Sequence, residues 1–234
     1  IDVSTSMLAE DLKPNRLEAA KDVAAEFING RPNDNIGITL FAGETFTQCP
    51  LTVDHAVLLD MIHNIKCGLI TDGTAVGMGI ANAVTRLKDS KAKSKVIILL
   101  TDGTNNKGDI SPMTAAEIAK SFGIRVYTIG VGTNGMAPYP YPVGNTVQYV
   151  SMPVEIDEKT LTEIAGTTDG NYFRATSNSK LKEVYEEIDK LEKTKLNVKE
   201  YSKRDEEYHW FALAAFLCVL LEVLLRNSVL KKIP

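Results

Sequence analysis

Lys95-Val96-Ile97-Ile98-Leu99-Leu100-Thr101-Asp102-Gly103 reads as a buried strand that stops at an acid. An unbroken apolar run between helical patterns has no face for water, which marks a strand covered on both sides in a parallel sheet. Two more runs repeat the pattern, Ile36 to Ala42 ending at Gly43 and Val126 to Val131 ending at Gly132. Helical spacing falls around them: Leu17, Ala20, Ala24, Phe27, Ile28; Val57, Leu58, Met61, Ile62, Ile65; Val76, Ile80, Ala83, Val84, Leu87. Leu161, Ile164 and Ala165 mark another helix, and Leu181, Val184, Tyr185, Ile188 and Leu191 the last amphipathic one. Asp54 and Asp157 are expected as N-caps, and Pro112 in a first helical turn. The alternation predicts a doubly wound α/β domain, Rossmann-like, with a mostly parallel central sheet.

In that architecture ligands bind beyond the carboxyl ends of the strands, where Asp102 lies. The chain opens on Asp2-Val3-Ser4-Thr5-Ser6. Alternate residues of extended backbone share a side, so this spacing aims one carboxylate and two hydroxyls at one point while Val3 faces away. A third segment, Asp72-Gly73-Thr74, opens the helix from Ala75 to Leu87 at the same rim. Singly, each residue has a plainer role: serines satisfy turns, a threonine caps a helix, an aspartate is a solvated loop acid. Together, Asp2, Ser4, Ser6, Thr74 and Asp102 form an all-oxygen set suited to Mg²⁺, Mn²⁺ or Ca²⁺, whereas zinc or copper prefers imidazole or thiolate. A cation held mainly by neutral hydroxyls keeps much of its charge and an open position, for which an Asp or Glu of a partner protein is the natural ligand. The expectation is a binding module and not an enzyme.

Two enzymatic readings compete. A Mg²⁺-dependent phosphatase-like hydrolase also places an Asp after its first strand, but it needs a second acid two residues on, where Ser4 stands. Gly130, Gly132 and Gly135 match the dinucleotide spacing after a strand. No helix can follow, because Pro138, Pro140 and Pro142 come next, and the pyrophosphate would lack its helix N-terminus. Thr133 to Ile156 is instead expected to be a long Pro/Tyr/Gly-rich loop at the same rim, with Tyr139, Tyr141 and Tyr149 as aromatic contact area beside the cation and Tyr139 and Tyr141 as partner-binding residues.

The 234 residues are 44% hydrophobic and 24% charged, enough for one such domain with an addition at one end. The net charge of −4 gives no electrostatic footprint for nucleic acid. His55 and His63, eight positions apart on one expected helix, are separated by roughly 12 Å and do not share a metal. Cys49, Cys67 and Cys218 make no metal set, and pairing of Cys49 with Cys67 is left open. The chain starts without Met and inside a strand, and reads as a fragment with its N-terminal strand truncated.

On the motifs Asp2 to Met7, Asp72 to Gly77 and Ile98 to Gly103, the chain resembles the von Willebrand factor A family over residues 1–192. That resemblance implies a metal-ion-dependent adhesion site with Ser4, Ser6 and Thr74 as hydroxyl ligands, and with Asp2 and Asp102 binding directly or through water. Thr5 stands where many members have Gly, a departure that leaves each ligand in place.

After residue 192 comes a charged linker, 193–207. An apolar stretch over 208–230 follows, long enough to cross a bilayer as a transmembrane helix, and then a basic tail, 231–234. Tyr208 and Trp210 suit an interfacial belt. This layout, with Ser6 to Leu12, Arg16-Leu17 and Leu40 to Gly43, is similar to the Bat (Bacteroides aerotolerance) family, and most to its BatA members. The resemblance implies roles in aerotolerance, oxidative stress and envelope integrity, with other Bat-type proteins and a MoxR-type AAA+ ATPase as partners. Flanking basic residues alone favour a cytoplasmic domain. The resemblance implies an inner-membrane protein with a periplasmic domain, and that is the expectation.

Overall fold

The computed structural model describes residues 1–133, 135–143, 146–154 and 156–201, together with 212, 213, 215, 216, 219, 222 and 223. The chain divides into two units, Ile1–Glu192 and Lys193–Pro234.

In the first unit a 3-10 turn, Thr5–Leu8, follows the opening residues and leads to α1 (Arg16–Asn29), β1 (Ile36–Phe41), β2 (Thr45–Thr52), α2 (His55–His63) and α3 (Val76–Leu87). Then come β3 (Val96–Thr101), α4 (Pro112–Ser121), β4 (Arg125–Val131), β5 (Gly135–Val143), β6 (Thr146–Val154), α5 (Glu158–Thr167), β7 (Tyr172–Ala175) and the start of α6 (Asn178–Tyr201), which runs past the boundary at Glu192. Strands β3, β4 and β7 are parallel, as the apolar runs require. Ile1 to Val3 join them to β1: the Asp2 N–H donates to the Leu100 carbonyl, and the Val3 N–H donates to the Phe41 carbonyl. The opening segment is therefore a central strand, with β1 on one side and β3 on the other, and the direction of winding reverses there. That reversal is where doubly wound folds place ligands.

One core cluster packs α1, α2 and α6 through Leu17, Val23, Leu58, Ile62, Leu181 and Ile188, and the other packs α3, α4 and α5 through Ile80, Val84, Ala115, Ala119, Leu161 and Ile164. Asp54 and Asp157 cap their helices as expected, accepting from the Val57 and Thr160 N–H groups. Pro112 opens α4 behind a Ser111 cap.

One strand is not anticipated by the sequence, one reading needs correction, and one open question closes. The sheet gains an antiparallel edge, because β2 folds back on β1; its sequence, Thr-Phe-Thr-Gln-Cys-Pro-Leu-Thr, is neither alternating nor uniformly apolar. The expected loop after Thr133 is a two-stranded hairpin, β5 with β6, paired residue for residue from Gly135–Val154 to Val143–Thr146. Its prolines fall on alternate positions, so their missing N–H groups all lie on one edge and leave the inner ladder intact. Cys49 and Cys67 are both free thiols.

α6 continues beyond Leu191 to Tyr201, into the charged stretch. Among the described residues no helix is long and apolar enough to cross a membrane. Most of the 208–230 stretch, including Tyr208, Trp210 and Cys218, lies outside the described residues, as do 202–207 and the tail 231–234. In the second unit, Leu213, Phe216, Val219 and Val223 are exposed.

Candidate metal centre

The five oxygen-bearing residues come from three segments, and the fold brings the segments together. Ser4 leaves the central strand and Thr5 starts the 3-10 turn, which swings Ser6 back over Ser4 so that their hydroxyls lie 2.9 Å apart. The Ser6 hydroxyl donates to Asp102 Oδ1 at 2.8 Å. Asp2 Oδ1 accepts the Ser4 N–H at 2.9 Å, and Oδ2 accepts the Thr101 hydroxyl at 2.6 Å. Thr74 faces the turn after β3, since a Cβ on Gly103 would stand 3.4 Å from its Oγ1. Its backbone is fixed by Asn106, whose side-chain oxygen accepts the Thr74 N–H at 2.9 Å.

Asp2, Ser4, Thr74 and Asp102 are buried, while Ser6 is exposed, so the cluster has one open side. Burial, and next the neighbouring Asp102 carboxylate, push the Asp2 carboxyl up to about 7. Asp102 is also raised by burial, against the pull of Arg16. One dry acid that resists ionising and a second paired with Arg16, beside three hydroxyls with spare lone pairs, are a donor set that a hard divalent cation fits. Among the described residues no three His, Cys, Asp or Glu side chains gather to hold a metal, so a cation here depends on the hydroxyls.

Four neighbours of the cluster escaped the sequence reading. Arg16 is wholly buried and donates to Asp102 Oδ2 at 2.7 Å, and it also forks onto Asp11 at 2.7 and 2.6 Å. Asp11 Oδ2 in turn accepts the Thr133 N–H at 2.7 Å. The guanidinium lies against Gly132, where φ is +123° and a Cβ would come within 2.6 Å of Arg16 Cζ. The glycine that matched a nucleotide motif thus makes room for an arginine, and the chain after it enters β5, not a helix. Asp72, in a motif quoted for Thr74, accepts the Thr5 N–H at 3.0 Å and the Thr5 hydroxyl at 2.9 Å. Cys67 donates to the Ser4 carbonyl at 3.4 Å; burial, then Asp2 and Asp102, push its thiol up to about 12, so it stays protonated and a poor ligand. Nothing in helical or strand periodicity flags these residues.

The hairpin stands beside the cluster. The Pro138 carbonyl accepts the Glu10 N–H at 2.9 Å, and the half-buried Tyr139 bonds through its hydroxyl to the Thr5 side chain. Tyr141 is 56% exposed.

The von Willebrand factor type A domain profile matches residues 1–187. BatB from Bacteroides thetaiotaomicron has a similar structure, with a TM-score of 0.71 at 34% identity over 82% of this chain and 96% of that one. An aerotolerance-related membrane protein from Bacteroides fragilis gives 0.69 at 34% identity over 81% and 96%. Proximal thread matrix protein 1 of the mussel byssus, solved with a zinc-occupied MIDAS motif, gives 0.62 at 25% identity over 81% and 43%. By sequence, an uncharacterized protein of Borreliella burgdorferi is 28% identical over 100% of this chain and 69% of its own length. A UPF0353 protein of Nocardia farcinica is 32% identical over 81% of this chain and 60% of its own. The chain thus spans little more than half the length of the UPF0353 relatives, 56% for one from Mycolicibacterium paratuberculosis.

Proposed function

This chain belongs to the von Willebrand factor type A domain family, and on that premise we propose that it is a membrane-anchored module that binds a partner protein through a divalent cation. The supporting observation is the bonded chain from Asp2 through Ser4 and Ser6 to Asp102, with Thr74 buried beside Gly103 and Ser6 exposed. Asp2 and Asp102 supply charge, the three hydroxyls supply neutral lone pairs, and Arg16 holds Asp102 in place from behind. A bound Mg²⁺, Mn²⁺ or Ca²⁺ would supply a Lewis-acidic position for an Asp or Glu of the partner. Tyr139, fixed at Thr5, and the exposed Tyr141 offer aromatic contact area next to that position.

The likeness to Bat proteins supports a setting in an aerotolerance or envelope-integrity complex, with other Bat-type proteins and a MoxR-type AAA+ ATPase as partners. The apolar stretch 208–230 would anchor it in the inner membrane with the domain in the periplasm. Affinity capture from native membranes tests the reading. Proteins retained by the full chain in Mg²⁺ are expected to be released by chelator and not retained by Thr74→Ala; retention unchanged by both treatments would contradict it.

A further inference from the structure

The two edges of the β5–β6 hairpin are built differently. On β5 the Pro138 carbonyl faces outward, since it accepts from Glu10, so Pro138 and its partner Ser151 form a pair without hydrogen bonds between them. Pairs alternate along an antiparallel ladder, so Pro140–Tyr149 and Pro142–Val147 are of the same kind. The outward positions of β5 at 138, 140 and 142 therefore have no N–H to give. Those of β6, at Val147, Tyr149 and Ser151, each direct an N–H and a carbonyl away from β5, and among the described residues no other strand pairs with β6. Edge strands usually carry a charge or a proline against such pairing. β6 has no charge anywhere, none lies between Thr133 and Val154, and its own proline, Pro153, comes only after the three open positions.

We propose that the outer edge of β6 pairs with the same edge of a second copy of this chain, antiparallel about a two-fold axis at Tyr149. The open positions are symmetric about that residue: Tyr149 meets Tyr149, Val147 meets Ser151, and each pair exchanges two N–H to carbonyl bonds. The strand carries no charge of its own to repel its copy or to select a different strand, and the one carboxylate beside the axis, Glu10 on the Tyr149 hydroxyl, is paired with Lys13 at 3.2 Å. Val150, 46% exposed, lies one position from the axis and is covered by its own copy across the diagonal. The assembly closes at two, because the remaining outer edge of the sheet is β5, with its prolines, held against Glu10.

Cross-linking of the full chain with a short thiol-specific reagent tests this, the unsubstituted protein giving the background of Cys49, Cys67 and Cys218. Tyr149→Cys is expected to form a covalent dimer at least about tenfold faster than Ser151→Cys alone, whose two thiols would sit four residues, roughly 14 Å, out of register. Mixing Val147→Cys with Ser151→Cys should restore the fast reaction, and chelator should leave all rates unchanged, which separates this from the cation reading. Equal rates for Tyr149→Cys and Ser151→Cys, no dimer, or adducts mainly with another protein would each overturn it.

Discussion

Asp2 and Asp11 are two acids of one bonded network, and the fold drives them in opposite directions. Asp2 is pushed up to about 7 by burial and by Asp102, whereas Asp11 is held at about 2 by the Arg16 fork and the Thr133 N–H. Burial and a cation make the difference: Asp2 is fully enclosed and accepts from a hydroxyl and an N–H, while Asp11 is less enclosed and has its own cation in Arg16. The two acids can thus be told apart by their enclosure and by what neutralises them: Asp2 is wholly buried without a cationic side chain, Asp11 only partly buried and paired.

Breaking the Arg16 side should have the largest effect. Arg16→Met leaves Asp11 and part of Asp102 unpaired in a dry site, and removing one partner of such a pair typically costs about 3 to 5 kcal/mol. For a domain of this size that lowers Tm by roughly 10 °C or more, readable by calorimetry. A loss no greater than that of a surface arginine would mean that the clamp does not hold the rim.

Acidity sharpens the comparison. Between pH 4 and 7 without cation, the folded protein holds a proton on Asp2 that the unfolded chain has lost, so this group makes stability fall as pH rises. Asp11 acts the other way: its contribution is complete above its unfolded pKa of about 4 and is lost as pH falls toward 2. Urea midpoints measured across pH, with and without Mg²⁺, should show the upper slope flattened by the cation and the lower one unmoved. A lower slope that responds equally to Mg²⁺ would erase the distinction.

Tyr139→Phe probes the smallest term. It removes one hydroxyl bond to Thr5, typically about 0.5 to 1.5 kcal/mol, and should leave any Mg²⁺-induced thermal shift intact. Disappearance of the shift would make Tyr139 part of the cation site itself.

How far the sequence carried depends on whether a residue's role shows in its neighbours along the chain. The apolar runs ending at Asp102 and Gly132 gave the parallel strands, because burial on both faces writes itself into consecutive residues. The D-x-S-x-S spacing gave the cluster of oxygens, although Ser6 reaches it through a 3-10 turn and not by strand alternation. Arg16 and Asp11 stayed hidden, since a charged residue at a helix start reads as solvated and its partner Asp102 is 86 positions away. The hairpin was misread because its alternating prolines suppress strand propensity, a signal that only the two edges, seen together, reverse.

Calorimetric titration of Mg²⁺ and Mn²⁺ into the full chain is the most direct test that the oxygen cluster is a cation site. One cation per chain is expected, with proton uptake by the buffer below pH 7 as Asp2 ionises, and stabilisation of about 2.7 kcal/mol at 100 times the dissociation constant. Ser4→Ala with Thr74→Ala should abolish all three. Binding of unchanged stoichiometry and affinity in that double variant, or none by the native chain at millimolar cation, would contradict the account.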